Sequence, residues 1–295
     1  MKITIADLKE QPIYGSYIQS RNSLYVLKTF LEETDLKDPE KITENLNKMS
    51  RELIKLYPNM VAVRKKLTTI VYYMKRLVKA KKSLQDVKQL TVDKIHELIK
   101  LAEQNIKNIG INGSKLILNH NKLLTISYSN SLKEIFITAH KQKRKFEIYC
   151  LESRPTFEGH IFAEELTRAG IACSIVTDAS MAYVANDVNV IISGADRVYE
   201  NAFVNKIGTF PLAIIAKEFQ IPFYMVCDTE KIFKEIDHAV RYYPRNSEEV
   251  YNSKIKSLNV LNYCYESIPL NYVSKVINEE GIYDTTEFIN WYLEE

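Results

Sequence analysis

The chain has 295 residues, 46% of them hydrophobic, and 40 basic against 37 acidic side chains leave a formal net charge of +3. That is apolar material for a sizeable core in one or two domains, while the near balance of charge gives no electrostatic case for direct nucleic-acid binding. With only 8 glycines, no GxGxxG, no P-loop, no signal-like N-terminus and no apolar run of the roughly 18–20 residues that span a bilayer, a soluble cytoplasmic protein without a Gly-rich nucleotide cradle is expected.

Residues 1–110 read as a helical domain. Leu24, Val26, Leu27 and Leu31 give one apolar face, and Pro39-Glu40 opens a second helix through Leu46 and Leu53 to Leu56. Pro58 marks a third start, with Val61, Val63, Leu67, Ile70 and Val71 at helical spacing, and Val92, Ile95, Leu98, Ile99, Ala102 and Ile106 form a fourth. The run Lys79-Ala80-Lys81-Lys82 between them reads as a solvated turn.

Gly110-Ile111-Asn112-Gly113 is taken as the boundary, after which the pattern changes. Five short apolar runs read as strands: Lys115 to His120, Phe146 to Cys150, Ala172 to Thr177, Val188 to Ser193 and Pro222 to Cys227. Helical stretches from Gly159 to Gly170, Ala179 to Val184 and Thr209 to Phe219 lie between them. Strand and helix alternating at this spacing imply βαβ units, hence a Rossmann-like parallel-sheet domain over 111–295 and an α/β fold class.

Chemistry-bearing residues gather just after these runs, where the carboxyl ends of parallel strands collect ligands. Asp196 follows the fourth run, and Asn205-Lys206 with Gly208-Thr209 offer a cation and a helix N-terminus for a phosphate. Arg154 could clamp a phosphate or carboxylate, or pair with Glu152 or the Asp178 region. Asp178 suits a helix cap, and Lys231 could reach the same mouth or be solvated. His120 closes the first run as a hydrogen-bonded structural residue. Cys150, Cys173, Cys227 and Cys264 are far apart, without a CxxC pair. They read as reduced thiols, and neither a zinc site nor any other cofactor is expected.

Glu152-Ser153-Arg154-Pro155 with Gly159, Thr177-Asp178-Ala179, Gly194-Ala195-Asp196, Asn205-Lys206-Ile207-Gly208-Thr209 and Ile221-Pro222-Phe223-Tyr224 resemble the family of initiation factor 2B alpha, beta and delta subunits. Methylthioribose-1-phosphate isomerase and ribose-1,5-bisphosphate isomerase belong to the same family. The resemblance implies a Rossmann-like domain behind a helical one, and oligomerisation. Its isomerases use a Cys at the end of the first strand and the Asp that Asp196 matches. Asn121 is read at the Cys place, and an amide cannot titrate near neutrality. Two arginines of the isomerases are likewise read as Tyr14 and Tyr57, which bring no charge.

One reading is therefore a non-catalytic initiation factor 2B-like regulatory subunit. It would associate with itself and with translation initiation factor 2, and sense a sugar phosphate or nucleotide through Arg154, Asn205, Lys206 and Lys231. The alternative is an aldose–ketose isomerase acting on a ribose phosphate with Asp196 as the proton-transfer group. A sensor that binds without turnover lies between them.

Overall fold

The computed structural model describes residues 3–10, 15–199, 201–233, 245–255 and 257–294. The chain divides into two compact units, Met1–Gln104 and Asn105–Glu295.

The first unit is helical. It comprises α1 (Ile5–Glu10), α2 (Ser16–Glu33), α3 (Pro39–Leu56), α4 (Val61–Lys79) and the start of α5 (Leu84–Ser114). Pro39 sits in the first turn of α3, where its missing N–H costs nothing, and Asp38 caps that turn by accepting from Glu40 N at 2.9 Å. Leu24, Leu27, Leu31, Ile42, Leu46, Leu53, Leu67 and Ile70 are fully buried in one core. Helical spacing put each on the inner face of its helix.

Gly110 and Gly113 do not break the chain: both lie inside α5. A Cβ at Gly110 would stand 2.6 Å from Glu134 Cγ, and one at Gly113 would stand 2.3 Å from Ile135 Cδ1. These glycines let α5 approach α6 (Asn130–Lys141) closely, so their role is contact rather than turning.

The run after α5 is not a strand either. The N–H groups of Lys115, Leu116 and Ile117 bond back to the carbonyls of Asn112, Gly113 and Ser114. Asn121 Oδ1 accepts from Leu118 N at 2.8 Å, and Asn119 Oδ1 from Lys145 N at 2.9 Å. The Asn121 side chain closes its turn locally, Asn119 ties the segment to the approach to β2, and the first strand starts only at Lys122.

The second unit then alternates β1 (Lys122–Ile126), α6, β2 (Glu147–Leu151), α7 (Glu158–Arg168), β3 (Ala172–Val176), α8 (Met181–Ala185) and β4 (Val190–Gly194). The hairpin β5 (Arg197–Tyr199) and β6 (Ala202–Lys206) follows, then α9 (Thr209–Glu218), β7 (Phe223–Val226) and β8 (Ile232–Phe233). The last elements are β9 (Tyr265–Pro269), β10 (Lys275–Ile277), β11 (Ile282–Asp284) and α10 (Thr285–Glu294). The main sheet has seven strands in the order β11-β10-β7-β4-β1-β2-β3, all parallel but the antiparallel β11. β4 is buried along its whole length, as a central strand covered on both faces must be. The chain is thus an α/β protein with an N-terminal helical region and a Rossmann-like sheet.

From β1 the chain moves outward through β2 to β3; from β4 it moves the other way through β7 to β10. β1 and β4 therefore flank the switch point, where carboxyl-end loops diverge and leave a crevice. A smaller sheet, β8-β5-β6-β9, joins the hairpin that leaves β4 to β8 and β9.

Candidate functional site

The residues that leave the switch point are held by a relay across three strand ends. Ser127, just past β1, has φ 67 and donates its N–H to Ser153 Oγ at 2.7 Å. Ser153, just past β2, donates its own Oγ to the Leu151 carbonyl at 3.0 Å. Asp178, past β3, accepts from Ser153 N at 2.8 Å and from Arg154 N at 2.7 Å. Asp178 thus fixes the β2 loop, a role distinct from the helix cap that its spacing suggested. The Arg154 guanidinium turns to the Val250 carbonyl at 3.0 Å and lies over the Phe157 ring at 4.9 Å.

Asp196 lies in the turn from β4 into the β5–β6 hairpin, and its N–H bonds to the Val204 carbonyl at 2.9 Å. The hairpin folds the chain back so that Lys206 returns to the level of Asp196. Between them Arg197, Val198 and Tyr199 pair with Val204, Phe203 and Ala202. Asp196 and Asp228 are neighbours by register: Gly194 pairs with Val226, and each Asp stands two residues beyond.

Burial raises the Asp196 carboxyl above the usual range; Lys231 and Lys206 oppose that shift, and Glu158 and Asp228 add to it. Its carboxylate has no hydrogen-bond partner among the described residues.

Each cation beside it faces a carboxylate. Lys206 is 4% exposed. Its Nζ donates to Glu158 Oε1 at 3.0 Å, Glu158 Oε2 at 2.9 Å and Thr156 Oγ1 at 3.0 Å. Lys231 is buried, not solvated, and its Nζ stands 3.8 Å from Asp228 Oδ2. Asn205 is buried, and its Nδ2 donates to Thr209 Oγ1 at 3.0 Å.

The α9 N-terminus is also taken. Gly208, at φ 99, turns the chain into the helix. Glu266, opposite Asn205 in the β6–β9 pairing, accepts from Phe210 N at 2.9 Å. Burial pushes this carboxyl up, while hydrogen bonds from the backbone of Phe210, Gly208 and Thr209 hold it back. Tyr265 faces Lys206 across the same ladder, and burial, then Asp196 and Glu158, push its phenol far up.

Of the expected site residues, the structure brings Asp196, Asn205, Lys206 and Lys231 together around the switch point. Asn121 is not with them. It precedes β1, at the opposite edge of the sheet from the mouth, because the first strand begins after it. His120 is exposed at that same edge, its N–H bonded to the Lys145 carbonyl. Tyr57 is 4% exposed in the helical core, with its OH 3.4 Å from the Leu8 carbonyl and its phenol pushed up by burial to about 12. Tyr14 lies outside the described residues. Glu158, Asp228, Tyr265 and Glu266 were not recognised as site residues from sequence. No periodicity singles out a carboxylate as a lysine's partner.

Among the described residues no group of three His, Cys, Asp or Glu side chains could hold a metal ion, and no helix is long and apolar enough to cross a membrane.

Known proteins share this arrangement of elements. Ribose 1,5-bisphosphate isomerase of Methanocaldococcus jannaschii is 25% identical over 96% of this chain and 91% of its own length. A putative translation initiation factor eIF-2B subunit 2-like protein of Pyrococcus furiosus is 28% identical over 94% of each chain. The crystal structure of the Pyrococcus horikoshii translation initiation factor eIF-2B superposes with TM-score 0.80 at 24% identity, covering 96% of both chains, a likeness of fold. The Initiation factor 2 subunit family matches residues 12–285, from the helical region through the whole main sheet, and the chain belongs to it.

Proposed function

We propose that this chain is a non-catalytic regulatory subunit of the initiation factor 2B type, working through protein association rather than turnover. The observation that carries the reading is the engagement of the groups that would grip a phosphate. The Lys206 ammonium faces Glu158, Lys231 faces Asp228, and Glu266 fills the α9 N-terminus. A bisphosphorylated sugar needs free cations and free N–H groups; here carboxylates bond Lys206 and the α9 N-terminus, and Asp228 stands 3.8 Å from Lys231.

The end of β1 supports the same reading. If the family's thiol stands at the end of the first strand, its place falls at Ser127, and an ordinary hydroxyl does not titrate near neutrality. Cys227, just past β7, is fully buried, and that burial pushes its thiol up.

The partners that fit are a second copy of the chain and translation initiation factor 2. Self-association is favoured by β3. This outer strand is open on one edge, carries no charged residue, and exposes Ile175, with Tyr183 of α8 exposed nearby in sequence. A sugar phosphate or nucleotide would have to displace Glu158 from Lys206.

One observation favours the isomerase reading instead. Asp196 is a half-buried carboxyl raised by burial, without a hydrogen bond among the described residues and beside two lysines, which is how a general acid/base is poised. Phosphorus NMR of ribose 1,5-bisphosphate and methylthioribose 1-phosphate incubated with the protein separates the two. Unchanged spectra are expected. Conversion that Asp196→Asn abolishes would overturn the regulatory reading.

A further inference from the structure

We propose that Glu158 decides which ligands the mouth admits: its carboxylate is an internal anion seated where an external phosphate would bind Lys206, and a neutral side chain there opens the site to phosphate. The inference rests on the reading of this mouth as non-catalytic and names the residue that keeps it closed.

An ammonium has three N–H donors. Around Lys206 Nζ stand three acceptors, Glu158 Oε1, Glu158 Oε2 and Thr156 Oγ1, at 3.0, 2.9 and 3.0 Å. No donor is left for a phosphate oxygen. The two side chains are 5% and 13% exposed, so solvent screens the pair little. Glu158 is also held from behind. It opens α7, and the next residue, Gly159, is pressed so closely on β2 that a Cβ there would lie 1.8 Å from the Leu151 carbonyl oxygen. The carboxylate is thus presented by a fixed backbone. An external anion competes with a group tethered at high effective concentration.

The surrounding charge reinforces the exclusion. Asp196 lies within electrostatic reach of Lys206, Lys231, Glu158 and Asp228, so an incoming phosphate would meet three carboxylates beside two ammonium groups, one of them fully hydrogen-bonded. An amide at 158 removes the nearer charge and keeps the shape.

The test is calorimetric titration of the full chain with inorganic phosphate, comparing wild type, E158Q and E158Q/K206M, with circular dichroism melts confirming folding. Wild type is expected to show no saturable binding, E158Q at least a tenfold gain in affinity, and the double variant loss of that gain. If E158Q does not fold, Glu158→Ala enters the same titration. Wild type silent and E158Q equally silent would overturn the inference and leave the functional reading standing. A gain that survives in the double variant would also overturn it, because the phosphate would then sit elsewhere. Saturable wild-type binding abolished by Lys206→Met would sink the functional reading itself.

Discussion

At the residue scale, the mouth is a set of opposed charges taken out of water, and such sets respond unequally to truncation. Lys206→Met leaves the Glu158 carboxylate buried without its cation and is expected to destabilise the chain by about 3–5 kcal/mol. Replacing both, as in E158L/K206M, removes the orphan charge and should restore most of that loss. Denaturant melts of the three proteins check this, and a double variant as weak as the single one would contradict it. Asp196 gives a signed pH effect. Its native carboxyl is raised by burial above the unfolded value of about 4. Its contribution to stability is therefore present below that value and lost as pH rises through the native pKa. Asp196→Asn should raise the melting temperature at pH 7.5, with the gain shrinking as pH falls towards about 4. A gain that grew on acidification would refute the assignment. Asp196 and Lys206 stood out in the sequence because they follow strong motifs. Their partners did not, since Glu266 joins Asn205 only through a strand pairing 61 positions distant, and nothing in local composition marks that register.

At the element scale, the helices lie tightly on the sheet that forms the switch point. Gly159 shows how tightly. Gly159→Ala forces α7 away from the Leu151 carbonyl, a backbone atom that cannot rotate aside, and is expected to cost about 3 kcal/mol or more. A thermal melt within error of wild type would show that α7 can slide. Ser129 caps α6 by accepting from Leu132 N at 3.3 Å, and Ser129→Ala should cost about 1 kcal/mol. The legibility of elements followed their physics. β4 read clearly because a strand buried on both faces is a continuous apolar run, and α3 read to the residue because Pro39 and its preceding Asp mark the start. The strand expected at Lys115 to His120 failed because an apolar run alone does not exclude turns, here closed by backbone bonds and by Asn121. Gly110 and Gly113 misled for a different reason. The same residue that breaks a helix also lets two helices touch, and sequence does not separate these uses. β5 and β6 were missed because a strand of three residues carries no period.

At the scale of the whole molecule, the α/β class and the family were legible, because several motifs at strand ends had to converge on one switch point. The division into units was placed differently. It falls at Gln104 and Asn105, within α5, six residues before the boundary read at Gly110. The open β3 edge makes a further claim about assembly. Light scattering should find a dimer or larger species, and Ile175→Lys, a charge on an exposed strand position, should shift it towards monomer. A monomer at every concentration would remove self-association from the account. The central claim is that the mouth is closed by the chain's own carboxylates. Isothermal titration of the wild-type chain with ribose 1,5-bisphosphate tests it most directly. The account predicts no saturable heat into the millimolar range. Tight stoichiometric binding that Lys206→Met abolishes would contradict it, because it would mean that Glu158 yields its place to substrate.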